Sequence, residues 1–307
     1  MLGFLEEQGV SKELRQAIAA FRAQNPVAEA DEARVPAPTF HYVGREVWEQ
    51  AATALLCGQN LLLAGSKATG KNVLAQDLAC AFGRPEWDIS FHIDMDASYL
   101  IGTDTLFDGE VSFRPGPIAC CAQRGGFGVL DEINMARSEA LAVLHATLDH
   151  RRIIDVPGYE LIRLAPATRF IGTMNVGYLG TRELNEALAS RFTVITMPAL
   201  SVAELEGLIA ARYPDVQPAE RHQLALLFDE ICLKCANGEI GDKALDLRGL
   251  FDAIELAQAG LPVEQALRNC ISNKVFDAFE RGLVEDVIAA RLPHGRRLGR
   301  LFGDRHA

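Results

Sequence analysis

Residues 65–72, GSKATGKN, have the residue types and the spacing of a loop that binds phosphate. They match the pattern GxxxxGK at Gly65, Gly70 and Lys71. Glycines let the backbone wind closely around a phosphate, and a Lys in this position reaches the β- and γ-phosphates of a nucleotide. Only 6 of the 30 basic residues are Lys, so a Lys at this point is informative. The alternative is an ordinary glycine turn with a surface Lys. We predict nucleotide binding by Gly65, Ser66, Lys67, Ala68, Thr69, Gly70, Lys71, Asn72 and Val73.

The residue after Lys71 departs from the usual pattern. It is Asn72, where a Ser or Thr commonly supplies a hydroxyl to Mg²⁺. An Asn amide oxygen can also ligate Mg²⁺, directly or through water, but this cation requires nearly ideal octahedral geometry. Binding of ATP is therefore predicted more firmly than rapid hydrolysis.

Two carboxylates end an apolar run sixty residues after Lys71. The run GGFGVLDEIN places Asp131 and Glu132 at the carboxyl end of a predicted strand. Beside a phosphate loop, Asp131 would hold Mg²⁺ through water, and Glu132 would orient and deprotonate the attacking water. Acidic residues after an apolar run are by themselves more often a solvated strand end. Together with the phosphate loop, they indicate a metal site at Asn72 and Asp131 and a general base at Glu132.

Three further polar residues are candidates for catalysis. Asn175 ends the run RFIGTMN and could hold the attacking water or the γ-phosphate, although an Asn there can also simply open a loop. Arg191 follows a predicted helix, where it would favour the helix dipole or act on a neighbouring subunit's nucleotide as an arginine finger. Arg248 begins an apolar helix, where an acid is more usual, which is a modest indication of function.

The elements that must position these residues alternate between strands and helices. Five apolar runs are typical of buried strands: LLLAG, EWDISFHI, FGVL, RFIGTM and TVITM. The segments between them have helical periodicity, and strands separated by helices predict a parallel sheet covered on both faces. We therefore predict an α/β fold of the P-loop type.

Three parts are predicted along the chain. Residues 1–38 form an N-terminal extension, with one amphipathic helix over residues 2–23 followed by a linker or extended strap. Residues 39–200 form the α/β nucleotide-binding domain. After Pro198 every apolar run has helical periodicity, VEQALRNCISNKVFDAF among them. Residues 201–307 are therefore predicted to form an all-helical domain that ends in a basic tail.

Composition limits the class of protein. The 307 residues are 49% hydrophobic and carry a net charge of −11, which argues against a surface devoted to nucleic acid. No apolar run reaches the roughly 20 residues that span a membrane. The seven cysteines are scattered and odd in number, and Cys232 and Cys235 are predicted to be ordinary helix cysteines. The first residues lack the apolar core of a secretion signal. We expect a cytoplasmic protein without membrane contact.

The order of the motifs resembles that of AAA+ ATPases. The segments GSKATGKN, GVLDEIN, GTMN, ALASRF and DLRGL carry this resemblance, which covers roughly residues 38–290 and is closest to the MoxR group of the dynein-related branch. The resemblance implies Walker A and Walker B motifs at the loop and at the two acids. It also implies sensor 1 at Asn175, an arginine finger at Arg191, and sensor 2 at Arg248 in a helical lid.

The same resemblance implies two inserts in the nucleotide-binding domain. Residues 104–117 are similar to the helix-2 insert of this family. Residues 151–168 contain two short apolar runs around Pro157 and Gly158, a pattern that predicts a β-hairpin and is similar to the pre-sensor-1 insert.

The resemblance also implies a function. Family members form rings, typically hexameric, that use ATP and Mg²⁺ to remodel a protein or mature a metalloenzyme, often with a partner containing a von Willebrand A domain. We therefore expect an ATPase that acts on a protein client. One alternative is a nucleic-acid motor, in which His150, Arg151 and Arg152 or the basic tail would face the nucleic acid. The other is a nucleotide-dependent assembly module with little turnover because of Asn72.

Overall fold

Contacts between residues divide the chain into two compact units. The computed structural model describes residues 2–107, 109–176 and 183–292. The first unit comprises Met1–Ser66 and Gly70–Pro198, and the second comprises Lys67–Thr69 and Ala199–Ala307. The predicted basic tail, residues 293–307, lies outside the described residues.

The first unit is built on a parallel sheet. Its helices are α1 (Gly3–Glu7), α2 (Lys12–Gln24), α3 (Arg45–Leu56), α4 (Lys71–Phe82), α5 (Ala97–Ile101), α6 (Pro117–Arg124), α7 (Ser138–Thr147) and α8 (Glu186–Ala189), with 3-10 helices at Glu29–Arg34 and Ile133–Met135. Its strands are β1 (Asn60–Gly65), β2 (Glu86–Ser90), β3 (Gly102–Phe107), β4 (Glu110–Pro115), β5 (Phe127–Asp131), β6 (Ile153–Ile154), β7 (Ile162–Arg163), β8 (Arg169–Asn175) and β9 (Phe192–Thr196). Five of these strands form one sheet in the order β2-β5-β8-β1-β9, and every neighbouring pair in it is parallel. The predicted α/β fold is confirmed.

Strand β1 is buried on both faces, which explains its unbroken apolar sequence. Leu61 and Leu63 pack into one hydrophobic core with residues of α3 and α4. Leu62, between them, packs into a second core with Leu130 and Phe170. Because successive side chains of a strand point to opposite faces, a strand covered on both sides needs apolar residues at consecutive positions.

The N-terminal extension differs from its prediction. Two helices, α1 and α2, replace the single helix expected over residues 2–23. The chain turns at Gly9, which has a φ of +74°, and the Ser11 side chain accepts a hydrogen bond from Leu14 N and starts α2. The segment expected as a linker or strap contains a 3-10 helix, and its Asp31 is buried against the Arg124 guanidinium at 2.7 Å.

Two small hairpins project from the first unit. Strands β3 and β4 pair antiparallel within the region of the expected helix-2 insert. Strands β6 and β7 form the hairpin predicted for residues 151–168, with only two residues paired on each side. The hairpins are joined by Tyr159, whose hydroxyl donates to Asp104 Oδ1 at 2.8 Å and whose ring lies 5.1 Å from that of Phe113.

The second unit is helical over its described residues. Its helices are α9 (Val202–Arg212), α10 (Pro218–Ala236), α11 (Leu247–Gln258), α12 (Val263–Cys270) and α13 (Ala278–Arg291), with 3-10 helices at Asp242–Ala244 and Ser272–Lys274. The run VEQALRNCISNKVFDAF, predicted to be helical, contains the end of one helix and the start of the next. Helix α12 ends at Cys270, and the Asp277 side chain starts α13 by accepting hydrogen bonds from Phe279 N and Glu280 N.

Cysteines Cys232 and Cys235 lie on α10, where burial raises their pKa values to about 11 and about 12. Within the described ranges, no group of three or more His, Cys, Asp or Glu side chains could hold a metal ion. No helix among those residues is both long enough and apolar enough to cross a bilayer.

Candidate nucleotide-binding site

The sheet brings the predicted phosphate loop and the predicted polar residues to one edge. Strands β1, β5 and β8 are parallel neighbours, so their carboxyl ends lie together, and Gly65 is in register with Asn175. Strand β1 is also where the chain order of the strands reverses, because β2, β5 and β8 lie on one side of it and β9 on the other. Open α/β sheets bind ligands at the carboxyl ends of the strands at such a point.

Lys71 lies at the centre of this edge. Its Nζ atom donates hydrogen bonds to the backbone oxygens of Gly65 at 3.1 Å and Ser66 at 2.6 Å. The residue is only 8% exposed, and burial lowers its pKa to about 8, although the nearby charges of Asp131 and Glu132 act in the opposite direction. A buried ammonium that has lost most of its hydration is suited to bind an anionic group.

The backbone of the loop also suits a phosphate. Ala68 and Gly70 have φ values of +62° and +79°, which are left-handed conformations that bend the chain tightly. Helix α4, of 12 residues, then begins at Lys71. The first N–H groups of a helix have no partner within it and carry the positive end of its dipole, so they favour an anion.

Hydrogen bonds connect the two acids with the tip of β8. Thr173 Oγ1 donates to Asp131 Oδ1 at 2.6 Å and accepts from Glu132 N at 3.0 Å. Asn175 Nδ2 donates to Glu132 Oε1 at 2.9 Å. Glu132 has a φ of +54°, which is uncommon for a residue other than Gly and is found most often at functional sites.

Sequence reasoning missed Thr173, and a signal for it was present. It precedes Asn175 by two residues, so both side chains leave the same face of β8. A hydroxyl at that position can reach the acid at the end of the neighbouring strand.

The donor atoms at this edge fit ATP with Mg²⁺. Asn72 is exposed on the first turn of α4, and Asp131 is half-buried at the end of β5. One carboxylate and one amide oxygen, completed by phosphate oxygens and water, form an ordinary ligand set for Mg²⁺. A site of this kind does not need a cluster of acidic or histidine ligands.

Arg191 lies at the opposite edge of the sheet. It precedes Phe192, which is in register with Asn60 at the amino end of β1, so the strand length separates its backbone from the loop by roughly 15–20 Å. Its guanidinium donates to His145 O at 3.1 Å and to Ala187 O, and lies 3.8 Å from Asp149. The first unit thus brings together Lys71, Asp131, Glu132 and Asn175, but not Arg191.

Arg248 belongs to the second unit. It is exposed in the first turn of α11, after Asp246, whose side chain starts that helix by accepting from Gly249 N at 2.9 Å. The loop residues Lys67–Thr69 are grouped with the second unit by their contacts.

Comparison with known proteins identifies the family. Residues 60–192 match the sequence model of the AAA domain (dynein-related subfamily), a range that contains the loop, both acids, Asn175 and Arg191. An uncharacterized protein of Staphylococcus saprophyticus is 30% identical over 256 residues, which cover 81% of this chain and 97% of that protein. The chain belongs to the dynein-related AAA subfamily.

Two further similar proteins match nearly the whole of this AAA protein. The uncharacterized protein YojN of Bacillus subtilis is 27% identical over 288 residues, covering 92% of this chain and 94% of its own. A crystal structure of a candidate ATPase from Cytophaga hutchinsonii covers 94% of this chain and 97% of its own, at 16% identity and a TM-score of 0.42. The predicted AAA+ resemblance is confirmed, and the narrower MoxR assignment stays a prediction.

The buried ammonium of Lys71 should affect the pH dependence of folding. The pKa of Lys71 is about 8 in the folded chain, below its ordinary value of 10.5. Below pH 8 the folded chain therefore carries the full free-energy cost of burying the ammonium. As the pH rises from about 8 to 10.5, the folded chain loses this proton while the unfolded chain keeps it, and the cost is relieved. We expect this residue to raise the free energy of unfolding by about 2–3 kcal/mol over that interval. Urea unfolding of Lys71→Met without nucleotide, between pH 7 and 10.5, should lack this increase.

The control is Lys12→Met, which removes an exposed ammonium on α2 and makes the same change in net charge. It should keep the pH dependence of the wild type. Parallel curves for Lys71→Met and the wild type would contradict the prediction.

Proposed function

We propose that this AAA protein hydrolyses ATP with Mg²⁺ and uses the energy to remodel or mature a protein or metalloenzyme client. The active form in this proposal is a ring of identical subunits, hexameric as in the MoxR group. A partner with a von Willebrand A domain is part of the same proposal. AAA family membership supports nucleotide binding, and the client, the ring and the partner are expectations from the narrower resemblance.

One observation carries the proposal. Asn175, Glu132, Thr173 and Asp131 form a continuous set of hydrogen bonds at the carboxyl ends of β5 and β8, and Lys71 lies within the electrostatic field of both acids. This combination is what phosphoryl transfer to water requires, namely an anion-binding cation, a metal-binding carboxylate and an oriented base.

Each residue has a separate role in the proposed reaction. The loop N–H groups and Lys71 bind the phosphates, while Asn72 and Asp131 would hold Mg²⁺, which neutralises charge that develops on the transferred phosphoryl group. Thr173 fixes the orientation of the Asp131 carboxylate. Glu132 accepts a proton from the attacking water, and Asn175 restricts the rotation of the Glu132 side chain by its hydrogen bond.

Replacing the base should separate binding from turnover. Glu132→Gln keeps the acceptor oxygen for Asn175 Nδ2 but cannot take a proton. We expect its steady-state ATPase rate to fall by about 10²–10⁴-fold, with affinity for ATP retained. The measurements are phosphate release and equilibrium binding of a fluorescent ATP analogue.

Glu139→Gln, an exposed position on α7, is the matched control and should have the wild-type rate. Normal hydrolysis by Glu132→Gln would exclude the base assignment. Tight ATP binding with almost no hydrolysis by the wild type would instead favour the nucleotide-dependent assembly module. The observation that favours this alternative is Asn72, which is exposed at the position of a proposed metal ligand.

The position of Arg191 supports a ring. Its backbone lies at the amino edge of the sheet, away from Lys71 in the same chain, and its exposed neighbours Arg151 and His150 lie on the same side near Asp149. A guanidinium placed there could stabilise the γ-phosphate of another subunit but not that of its own.

A mixing experiment tests this role. Arg191→Ala and Glu132→Gln should each lack turnover when pure, since one lacks the finger and the other lacks the base. In a mixture, the Glu132→Gln subunit still supplies Arg191 and the Arg191→Ala subunit still supplies Glu132. An intact site forms wherever these two residues meet between neighbouring subunits. We expect ATPase activity to return to about a quarter of the wild-type rate, by random pairing of equal amounts.

Arg151→Ala is the control, because Arg151 is exposed and contacts the same Asp149 at 3.2 Å. It should be fully active when pure. An inactive mixture, or an active pure Arg191→Ala protein, would contradict the action between subunits.

The hairpins support a protein client. Leu106 and Val111 face each other across β3 and β4 and are 74% and 64% exposed. Their hairpin is braced at its base by Tyr159 of the second hairpin. Exposed apolar side chains on a projecting element are typical of a surface that contacts other proteins.

The basic residues near the second hairpin have acidic or backbone partners within the chain. His150 and Arg151 lie 2.7 and 3.2 Å from the Asp149 carboxylate. Arg152 donates to the backbone oxygens of Ala165 and Thr168 instead of facing solvent. Together with the net charge of −11, these contacts favour a polypeptide client over a nucleic acid.

Removing the apolar residues of the first hairpin should uncouple the ATPase from its client. We expect an unfolded polypeptide, reduced carboxymethylated α-lactalbumin, to stimulate the wild-type ATPase by about two-fold or more if exposed apolar contacts drive recognition. The double variant Leu106→Ser, Val111→Ser should keep the unstimulated rate and lose the stimulation. Thr105→Ser, on the other face of the same strand, is the control. Stimulation by duplex DNA but not by the polypeptide would favour the nucleic-acid motor.

A further inference from the structure

A fully buried acid lies on the helix that follows the phosphate loop. Asp77 is on α4, six residues after Lys71, and has no exposed surface. Its Oδ1 atom lies 2.7 Å from His41 Nδ1, and its Oδ2 atom accepts a hydrogen bond from Tyr42 N at 2.6 Å. Burial raises the pKa of this carboxyl group, and the contacts with Tyr42 and His41 act against that shift. The proposed hydrolysis does not use this acid.

Asp77 fixes a segment that lies against the phosphate loop. Tyr42 is held at both ends of its backbone, since Trp48 Nε1 donates to Tyr42 O at 3.0 Å while Asp77 holds the N–H group. The Tyr42 ring packs on Gly70 so closely that a Cβ atom added at Gly70 would lie 2.9 Å from Tyr42 Cδ2. Gly70 is the left-handed residue directly before Lys71. The ring therefore supports the last turn of the loop.

The N-terminal helix holds the same segment from the other side. The Phe4 ring of α1 stacks on the His41 ring with centroids 3.9 Å apart and an angle of 11° between the planes. Phe4 also meets the edge of Trp48 at 5.7 Å. His41 is thus held between an aromatic ring of α1 and a carboxylate of α4.

We propose that Asp77 and Phe4 are positioning residues for ATP binding, and that helix α1 is in this way a working part of the nucleotide site. They hold His41 and Tyr42 in place so that the Tyr42 ring keeps Gly70 and Lys71 in the geometry that accepts phosphate. This inference depends on the proposed function, because it assumes that the loop binds ATP.

Loss of Asp77 or Phe4 should weaken the binding of ATP without slowing the chemical step. A loop that is already in its bound geometry loses less conformational freedom when the ligand arrives, so its support contributes to affinity. Glu132, Asn175 and Thr173 are oriented by their mutual hydrogen bonds on β5 and β8, in which Asp77 and Phe4 take no part. Loss of either positioning residue should raise KM and Kd together and leave kcat nearly unchanged.

The test is the equilibrium Kd for a fluorescent non-hydrolysable ATP analogue, with KM and kcat for ATP, in the full-length chain. Asp77→Ala and Phe4→Ala should each weaken binding by about ten-fold, as expected when a supporting contact of a binding site is lost. Asp77→Asn keeps an acceptor for Tyr42 N and can donate to a neutral His41 ring, so it should restore most of the affinity. Ile118→Ala is the matched control, because Ile118 is also fully buried but lies on α6 in the other hydrophobic core and takes no part in the stack.

The possible results separate the two proposals. Ile118→Ala should lower the unfolding midpoint and keep the wild-type Kd, which would show that affinity follows the stack and not stability in general. Wild-type affinity in folded Phe4→Ala, or equal loss in Ile118→Ala, would overturn the inference while leaving ATP hydrolysis in place. If Asp77→Ala does not fold, the Kd values of Phe4→Ala and Asp77→Asn still test the inference. Failure of the wild type to bind the analogue would overturn the proposed function together with this inference.

Discussion

The burial of strand β1 on both faces is the constraint on which the candidate site depends. Leu61, Leu62 and Leu63 belong to two different cores, so the strand cannot slide or rotate without exposing one of them. The chain leaves this fixed strand at Gly65, and the loop, Lys71 and α4 follow directly. Because β8 lies beside it, β5 lies beside β8 and all three strands are parallel, their polar ends have to meet the loop at the same edge.

Two residues of the candidate site are held in ways that lower the free energy of unfolding. The Lys71 ammonium is buried in a site where its pKa falls to about 8, and Glu132 adopts a left-handed backbone conformation. Both features cost free energy in a chain without nucleotide. Such costs are expected where residues are arranged for an anionic ligand, since the ligand supplies the missing charge. The rest of the first unit has to compensate for them through its two hydrophobic cores.

Much of the sheet and of the candidate site could be predicted from the sequence. Short unbroken apolar runs identify the buried parallel strands, and the last residues of these runs identify the carboxyl edge of the sheet. Asp131, Glu132 and Asn175 were found at or directly after strand ends in this way, and Lys71 was found from the GxxxxGK pattern that follows β1. Thr173 was missed because its importance depends on the register between β5 and β8, which no local pattern contains. The break at Gly9 was missed because apolar spacing continues across it, while the left-handed backbone of Gly9 and the capping side chain of Ser11 decide where one helix stops and the next begins. The burial of Asp77 could not be foreseen either, since its partners are 35 and 36 residues away.

The two groups of polar residues in the first unit act on different stages of the proposed cycle. Lys71 and the residues that support its loop belong to α1, α4 and the segment at Tyr42, whereas Thr173 and Asn175 belong to β8 and Glu132 directly follows β5. Arg191 is separate from both groups, and its guanidinium is satisfied by the carbonyl oxygens of His145 and Ala187 within its own chain. Reaching the nucleotide of another subunit therefore requires these hydrogen bonds to be exchanged for contacts with phosphate. In the proposed ring this exchange is possible only after subunits have met, so that binding of ATP and assembly of the ring would stabilise each other by mass action. On this proposal a single chain binds nucleotide by itself, while its turnover depends on the concentration of its neighbours.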